Sequence, residues 1–366
     1  MMSLKYRLYA GLCTVALFTG CSVVDEDLSD CATDVRMNYK MHLVTNMSTE
    51  MDNVLDHARD QYVTAALRDY LKDIFTDRAH DLNLSFWSAK PEDPSITFRD
   101  KEIMDASEAS YVFHLPVQPY MHLGSANVEG NHLVSPFAAE TAQQEALPQV
   151  VRDTITSHTT GLFTGRLPFE VLNKKNQEYT MYLYMANCAA ALVVDTTDVV
   201  VTDMKVYTTG FATDFNLCDS IYTYGDAPIV VADKLPVTEG KRMAFCTVNY
   251  PSSEIPVNGP TPRPITDVDL KPYNVKATRI FTETTEPFEA EEALTYYWQY
   301  RCYVTKGDGK ITETILGVKK PLRAGQLTIM KAKIESDGEV VPITDGLVGV
   351  TVNLDWTPGN TFNPTF

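Results

Sequence analysis

The sequence lacks the motifs of the common enzyme classes. It contains no glycine-rich phosphate loop, no G-x-S-x-G elbow and no H-E-x-x-H pair, so it does not predict a nucleotide-binding site, a serine hydrolase or a zinc protease. Basic residues are also few, with 31 lysines and arginines against 48 acidic residues and a formal net charge of −17. Because so acidic a chain is repelled by phosphate groups, nucleic acid and anionic lipid are disfavoured as partners.

Cysteine is scarce and widely spaced. The seven cysteines include no C-x-x-C pair, which disfavours a zinc site. Cys13 belongs to an N-terminal apolar segment, and Cys21 closely follows that segment. In an oxidising compartment the other five allow one or two disulfides, but the sequence does not pair them. These five are Cys31, Cys188, Cys218, Cys246 and Cys302.

Long apolar runs are absent except for one near the N-terminus. A positively charged start and an apolar run over residues 8–18 are typical of a secretory signal, and the run is shorter than the roughly 20 residues that span a bilayer. Gly20 before Cys21 resembles a bacterial lipobox, although Phe18 stands where that motif usually has leucine. We expect a signal peptide at residues 1–20 and lipidation of the Cys21 thiol, with acyl chains such as palmitate tethering the mature chain to a membrane.

An acidic tether follows the signal, over residues 21–34. Asp25, Glu26 and Asp27 resemble the export signal that sends Bacteroidetes lipoproteins to the outer cell surface. An ordinary solvated tether would have the same composition. The sequence favours a lipid-anchored, surface-exposed protein of the outer membrane.

Patterns typical of β-strands dominate the rest of the chain, and one helix pattern interrupts them. From residue 82 apolar and polar residues alternate, and further β-rich runs follow, which predicts strands. Before them, apolar side chains recur at three- and four-residue spacing and predict one face of a helix. They are Val63, Ala66, Leu67, Tyr70, Leu71 and Ile74. We expect this helix to cover an open side of a sheet; the alternative is a helix that binds a partner.

The C-terminal third has the clearest hairpin patterns. Residues 296–318 and 327–343 each predict two strands around a turn, at 306–309 and 336–338, where a glycine after an aspartate supplies the positive φ that such turns need. A last alternating strand is predicted from residue 348 onward. Its apolar residues are our candidate strand-exchange segment: Val350, Val352, Leu354 and Trp356. The alternative is that this strand completes its own sandwich.

Residues that carry chemistry in other proteins occur here without a recognisable site. The seven histidines never fall at metal-ligand spacing, and we interpret His114, which lies between apolar neighbours, as structural and not catalytic. Three glutamates are weak candidates for a glycosidase pair, and two aspartates are weak candidates for calcium ligands. They are Glu289, Glu291, Glu292, Asp267 and Asp269. We therefore predict no enzymatic activity, no metal and no cofactor.

An aromatic run at residues 296–303 is the best sequence candidate for ligand binding. On a strand its side chains divide between two faces, with Tyr296, Trp298 and Tyr300 on one and Tyr297, Arg301 and Tyr303 on the other. One face should belong to the core. The other is either a cross-strand aromatic ladder or a platform for sugar rings.

Four segments together suggest a family. They are the tether at 21–31, the segment 75–87 with Ala-His-Asp-Leu-Asn-Leu-Ser-Phe, the run Leu-Phe-Thr-Gly-Arg at 162–166, and the ending at 348–359 with Asn-Leu-Asp-Trp-Thr-Pro-Gly. In these segments, and over nearly the whole mature chain, the sequence resembles the fimbrial anchor subunits of Bacteroidales, the basal lipoproteins of type V pili. The major pilins of these pili share the same fold.

The resemblance implies an all-β fold of two tandem transthyretin-like antiparallel β-sandwich domains, at residues 35–217 and 218–366, with the helix in the first. It implies a structural lipoprotein that anchors a fimbria to the outer membrane and joins the basal stalk subunit by β-strand contacts, an assembly that needs no catalytic residue. A surface glycan-binding lipoprotein is the alternative from another functional class, because it would share the anchor, the acidity and the sandwiches.

Overall fold

A computed structural model of the chain describes residues 32–43, 51, 55–56, 58–90, 95–135, 139–150, 152, 154–224, 229–253, 279–281 and 297–349. The predicted lipidation site Cys21, Cys31, the acidic candidates between Asp267 and Glu292, Tyr296, and the candidate strand-exchange residues from Val350 to Trp356 lie outside the described residues.

The first half of the described chain holds a helix, α1 (Gln61–Leu71), a 3-10 turn at Ala142–Gln144, and eight strands. The strands are β1 (Thr33–His42), β2 (Ala79–Ser88), β3 (Ile96–Ala106), β4 (Glu108–Leu115), β5 (Pro119–Ala126), β6 (Thr154–Ile155), β7 (Phe163–Glu170) and β8 (Gln177–Met185).

The second half is built of strands. They are β9 (Cys188–Asp195), β10 (Val201–Thr209), β11 (Asp214–Asn216), β12 (Ile221–Thr223), β13 (Ile229–Val231), β14 (Asp233–Lys234), β15 (Arg242–Asn249), β16 (Arg279–Phe281), β17 (Trp298–Lys306), β18 (Ile311–Val318), β19 (Leu327–Ile334) and β20 (Val340–Gly349). The predicted all-β fold is confirmed.

Seven strands of the first half form one sheet, in the order β3-β2-β5-β7-β8-β1-β4. β1 lies between two neighbours: Val35 pairs with Phe113 of the antiparallel β4 and with Gln177 of the parallel β8. The side chains of β1 alternate in burial: Val35 is fully buried, whereas its neighbours Asp34 and Arg36 are exposed. One face of the strand therefore contributes to a core.

The predicted helix is present, and its apolar face is buried as the spacing indicates. Val63, Leu67 and Leu71 are at most 2% exposed and belong to one apolar cluster with residues of β1, β2 and β9. The helix ends at Leu71, so the buried Ile74 follows it and is not part of it. The helix packs between sheets, as expected of a covering helix.

Two sheets, built from the strands of the second half together with β6, form a sandwich. The six-stranded sheet has the order β16-β18-β17-β10-β13-β6, and the five-stranded sheet has the order β14-β15-β9-β19-β20. Buried side chains from both sheets meet in one core, among them Leu192, Phe245, Met330, Val206, Trp298 and Leu316. A short β11–β12 ribbon lies apart from both sheets.

The five-stranded sheet is buried on both faces. In β9, Ala190, Leu192 and Val194 face the sandwich core, whereas Ala189 and Ala191 belong to the cluster that contains helix α1 and the seven-stranded sheet. A strand with two buried faces reads as a continuous apolar run without alternation, and residues 188–194 are all buried. The five-stranded sheet is therefore a shared layer between the two halves of the molecule.

The sheets are mixed, whereas antiparallel sandwiches were predicted. Each large sheet contains parallel neighbours: β1 with β8, β9 with β19, β6 with β13, and β16 with β18. Parallel strands cannot be joined by a tight hairpin, so these pairings leave no turn signal in the sequence.

The predicted domain bounds, 35–217 and 218–366, stay a prediction. Strands β9 and β10 precede the predicted join, yet they pair with β15, β19 and β17, which follow it. Both C-terminal sheets thus draw strands from each side of residue 217, and the seven-stranded sheet ends at Met185.

Gly165, in the Leu-Phe-Thr-Gly-Arg run, is required by the close approach of β7 to β8. A methyl group added there would lie 2.5 Å from the carbonyl oxygen of Tyr182. We expect Gly165→Ala to lower the free energy of unfolding by about 1–3 kcal/mol, because the backbone must shift to accept it; urea denaturation measures this. Gly307→Ala is the matched control, since its methyl would come no closer than 3.4 Å to Val200. Equal losses in both variants would contradict the steric explanation.

Candidate functional site

The hairpin of β19 and β20 leads into the predicted strand-exchange segment. In its turn the Glu335 N–H donates to Glu339 O at 2.9 Å, and Gly338 has a φ of +95°. The turn is held to the neighbouring hairpin, because the Thr312 hydroxyl donates to Asp337 O at 2.9 Å. Both predicted hairpins, β17–β18 and β19–β20, are confirmed.

β20 is an edge strand with an interrupted ladder. In the described part of the chain it forms a β-ladder with β19 alone. Met330 lies opposite Leu347 but Ala332 lies opposite Pro342, so the four residues 343–346 face Lys331 only. Proline offers no N–H, and prolines and bulges are two means by which edge strands avoid pairing with other chains. The first part of β20 is therefore protected, and regular pairing resumes at 347–349.

A groove of about 430 Å³ lies beside the protected part of β20. Its apolar wall is Ile334, Val341, Pro342 and Ile343, and its polar wall is Asp195, Thr197, Asp198, Lys333 and Glu335. Two of these carboxylates have cationic partners, since Glu335 lies 3.4 Å from Lys333 and Asp195 lies 2.6 Å from Arg242. Over the described ranges no cluster of three or more histidine, cysteine or acidic residues could hold a metal.

The aromatic run of β17 is divided between two environments. Trp298 and Tyr300 are fully buried in the sandwich core, so this face is core as expected. On the other face Arg301 is also buried; its Nε donates to Glu313 at 2.5 Å, and the Tyr303 hydroxyl donates to the same carboxylate at 2.9 Å. Tyr303 also meets Tyr207 across the strands, with ring centroids 6.0 Å apart. This is the cross-strand arrangement, with Tyr303 half-buried.

Two histidines that the sequence analysis did not single out are buried, whereas His114 is exposed. The His114 side chain is 69% exposed, 3.1 Å from Asp34. His122 is fully buried: its Nδ1 donates to Ser85 O at 2.8 Å, so its Nε2 accepts from the Tyr39 hydroxyl at 2.9 Å. Burial lowers the pKa of His122 to about 4 and that of His158 to about 3. Both are neutral structural groups at physiological pH.

A buried carboxylate was also missed. Glu145 is fully buried and is ion-paired with Arg99 of β3. It accepts from the Ser85 hydroxyl at 2.5 Å, and Ser85 in turn accepts from Trp87 Nε1 at 3.0 Å. Burial raises the pKa of Glu145, with the Ser85 hydrogen bond and Arg99 acting against it. No sequence pattern distinguishes Glu145 from the solvent-exposed acids around it.

The cysteines of the described chain are free thiols. Cys188, Cys218, Cys246 and Cys302 are buried and unpaired with one another, so none of the disulfides that the sequence allows forms among these four. Burial raises the pKa of each thiol, which makes them unreactive. Among the described residues no helix is long and apolar enough to cross a membrane.

Comparisons with known proteins found similar structures and no similar sequence. No protein-family model and no curated protein matches the chain. An adhesin candidate from Bacteroides thetaiotaomicron gives a TM-score of 0.48 at 10% identity, over 88% of this chain and 99% of that chain. The fimbrial anchor protein Mfa2 from Porphyromonas gingivalis gives 0.46 at 9% identity, over 87% and 99%. A candidate polysaccharide-binding protein from Bacteroides thetaiotaomicron also gives 0.46 at 9% identity, over 87% and 98%.

Proposed function

We propose that this protein is the basal lipoprotein of a type V pilus. In this proposal acyl chains on Cys21 hold it on the outer membrane, its sandwiches are transthyretin-like, and β-strand contacts join it to the lowest stalk subunit. The observation that carries the proposal is the edge strand β20. It is paired on one side within the described residues, and the alternating segment from Val350 to Trp356 follows it directly in the sequence.

The features of β20 indicate where a partner strand would be added. Pro342 and the bulge at 343–346 protect the first part of the edge, so strand addition there is disfavoured. Thr328 and Ile329 pair with Gly349 and Val348, so the last strand starts in its own sheet before it reaches the candidate segment. A partner strand that pairs with residues after 349 would thus join a strand whose preceding residues are already in register with β19.

Two variants of the full-length protein test this proposal in cells that make pili. Deleting the C-terminal tail, residues 357–366, should leave the protein in the outer membrane. Pili that lack the protein should then be released into the medium. Cys21→Ala should also release pili, but with the protein still attached at their base, because only the acyl anchor is lost. Cell fractionation and immunoblotting of shed pili separate the two results.

Cys31→Ala is the matched control and should leave both protein and pili in place. Normal pilus anchoring in the tail-deleted variant would show that the tail is not the joint. Quantitative retention of the Cys21→Ala protein in outer membrane would overturn lipidation at this residue.

A further inference from the structure

Asp60 makes an unusual contact for a residue that precedes a helix. It occupies the N-cap of α1, yet its carboxylate makes no capping hydrogen bond, whereas N-cap aspartates commonly accept from the first helical N–H groups. Its Oδ1 instead lies 3.2 Å from Arg242 Nε and its Oδ2 lies 3.3 Å from Lys331 Nζ. The Asp60 side chain is 6% exposed, so this buried carboxylate is neutralised by two cations of the five-stranded sheet, of which Arg242 is shared with Asp195.

Two apolar clusters also cross between the halves of the chain. The larger one contains Met37 of β1 and Leu67 of α1 together with Cys246 of β15 and Ile329 of β19. A second cluster joins Trp87 and Leu123 of the seven-stranded sheet to Phe215 and Tyr250. Because apolar surface is shared in both clusters, unfolding either half would expose the buried face of the other to water.

Polar contacts connect the same parts. The Tyr70 hydroxyl of α1 donates to the Asp233 carboxylate of β14. Gln149 Nε2 donates to Asn249 Oδ1 at 2.8 Å, and Arg166 of β7 donates to the carbonyl of Cys218. Domains that move independently are joined by small and mostly polar interfaces, and the junction here has a continuous apolar centre with buried polar contacts around it.

We infer that the seven-stranded sheet and the C-terminal sandwich form one cooperative folding unit. Helix α1 is the element between them, and the buried ion-pair cluster of Asp60, Arg242 and Lys331 holds the start of the helix to the sandwich. A force applied at β1 would then be carried to β20 through a single body. The inference goes beyond the proposed function and does not depend on it, because its test needs neither a membrane nor a pilus.

Pulse-labelling hydrogen exchange on the purified chain, read by mass spectrometry at a series of urea concentrations, tests the inference. The fractions unfolded of peptides from β8 and β17 should follow one curve. In Asp60→Asn both curves should move together to lower urea, with several-fold more unfolded protein in each peptide at the wild-type midpoint. Asp69→Asn is the matched control, because Asp69 lies on the same helix in an exposed pair with Lys72, and it should move neither curve.

Separate curves for β8 and β17 in the wild type would overturn the inference, and so would an Asp60→Asn variant in which only the β8 peptide shifts. If the urea curves of Asp60→Asn are the same as those of the wild type, the ion-pair cluster does not stabilise the unit. If Asp60→Asn does not fold, Lys331→Met tests the same cluster from the side of the sandwich. The urea curves of the β8 and β17 peptides should then shift equally, and a shift confined to β17 contradicts the inference.

Discussion

Acidification from pH 6.5 toward about 4 is expected to destabilise the protein by about 3 kcal/mol through each of two buried histidines, His122 and His158. In the unfolded chain each imidazole takes up a proton near its ordinary pKa of 6.5, whereas in the fold burial holds these pKa values at about 4 and about 3. Between these values the unfolded state binds more protons. The stability present above pH 6.5 is therefore lost as the pH falls.

The surroundings of His122 explain why it resists protonation. Its ring stacks on Phe86, with centroids 3.9 Å apart, and its Nε2 accepts from Tyr39. A protonated ring would have a donor at Nε2 as well, so it would lose this hydrogen bond and remain a buried charge. His158 has the aromatic ring of Tyr250 at 5.4 Å and a neutral amide, Gln149, at 3.4 Å. Burial is the cause of its lowered pKa.

Urea denaturation over this pH range measures the effect. Burial raises the pKa of Glu145 and of Asp81, and their protonation acts in the opposite direction, so each histidine is read from a variant. The loss of stability on acidification should be about 3 kcal/mol smaller in His158→Gln than in the wild type. The exposed His114 supplies the control, His114→Gln, which should keep the wild-type slope. A His158→Gln slope equal to the wild-type slope would count against this account.

The period-two pattern of the strands also contained the signal for the different burial of His114 and His122. His114 lies between Phe113 and Leu115, and since those two side chains are buried, the residue between them points to the opposite, exposed face. His122 instead shares a face with Tyr120, which is 1% exposed. The burial of a polar residue on a strand is thus indicated by residues two positions away and not by its direct neighbours.

Several strand positions, the helix and the hairpins were predictable because each depends on residues close in sequence. The pairing of β1 with β8 and of β9 with β19 was not, since parallel strands are joined by long connections without a turn signature. The run at 188–194 reads as one strand, but only the structure places its two faces in different cores. Buried acids such as Asp60 and Glu145 have no local pattern, because their burial is decided by cations that lie far away in the sequence.

Removing the Arg99 side chain is expected to destabilise the protein by about 3 kcal/mol, because it leaves Glu145 buried without its cation. Arg99 and Glu145 are ion-paired, and the carboxylate is fully buried. Glu145 O also accepts from the Leu217 N–H at 2.8 Å, so the loss should reach the segment at β11. Since burial already raises the pKa of Glu145, the loss of Arg99 raises it further. The stability of Arg99→Ala should therefore decline as the pH rises through that pKa.

Lys101→Ala is the matched control for Arg99→Ala. Lys101 lies on the same strand, two residues away, and pairs with Glu129 at 2.7 Å, but both side chains of this pair are about half exposed, at 48% and 60%. Exposed pairs contribute about 0–1 kcal/mol, so this variant should be close to wild type in urea denaturation. Adding Glu145→Gln to Arg99→Ala should recover part of the lost stability, because an amide carries no charge to be neutralised. If the double variant recovers nothing, or if Lys101→Ala is as damaging as Arg99→Ala, the buried carboxylate is not the cause of the loss.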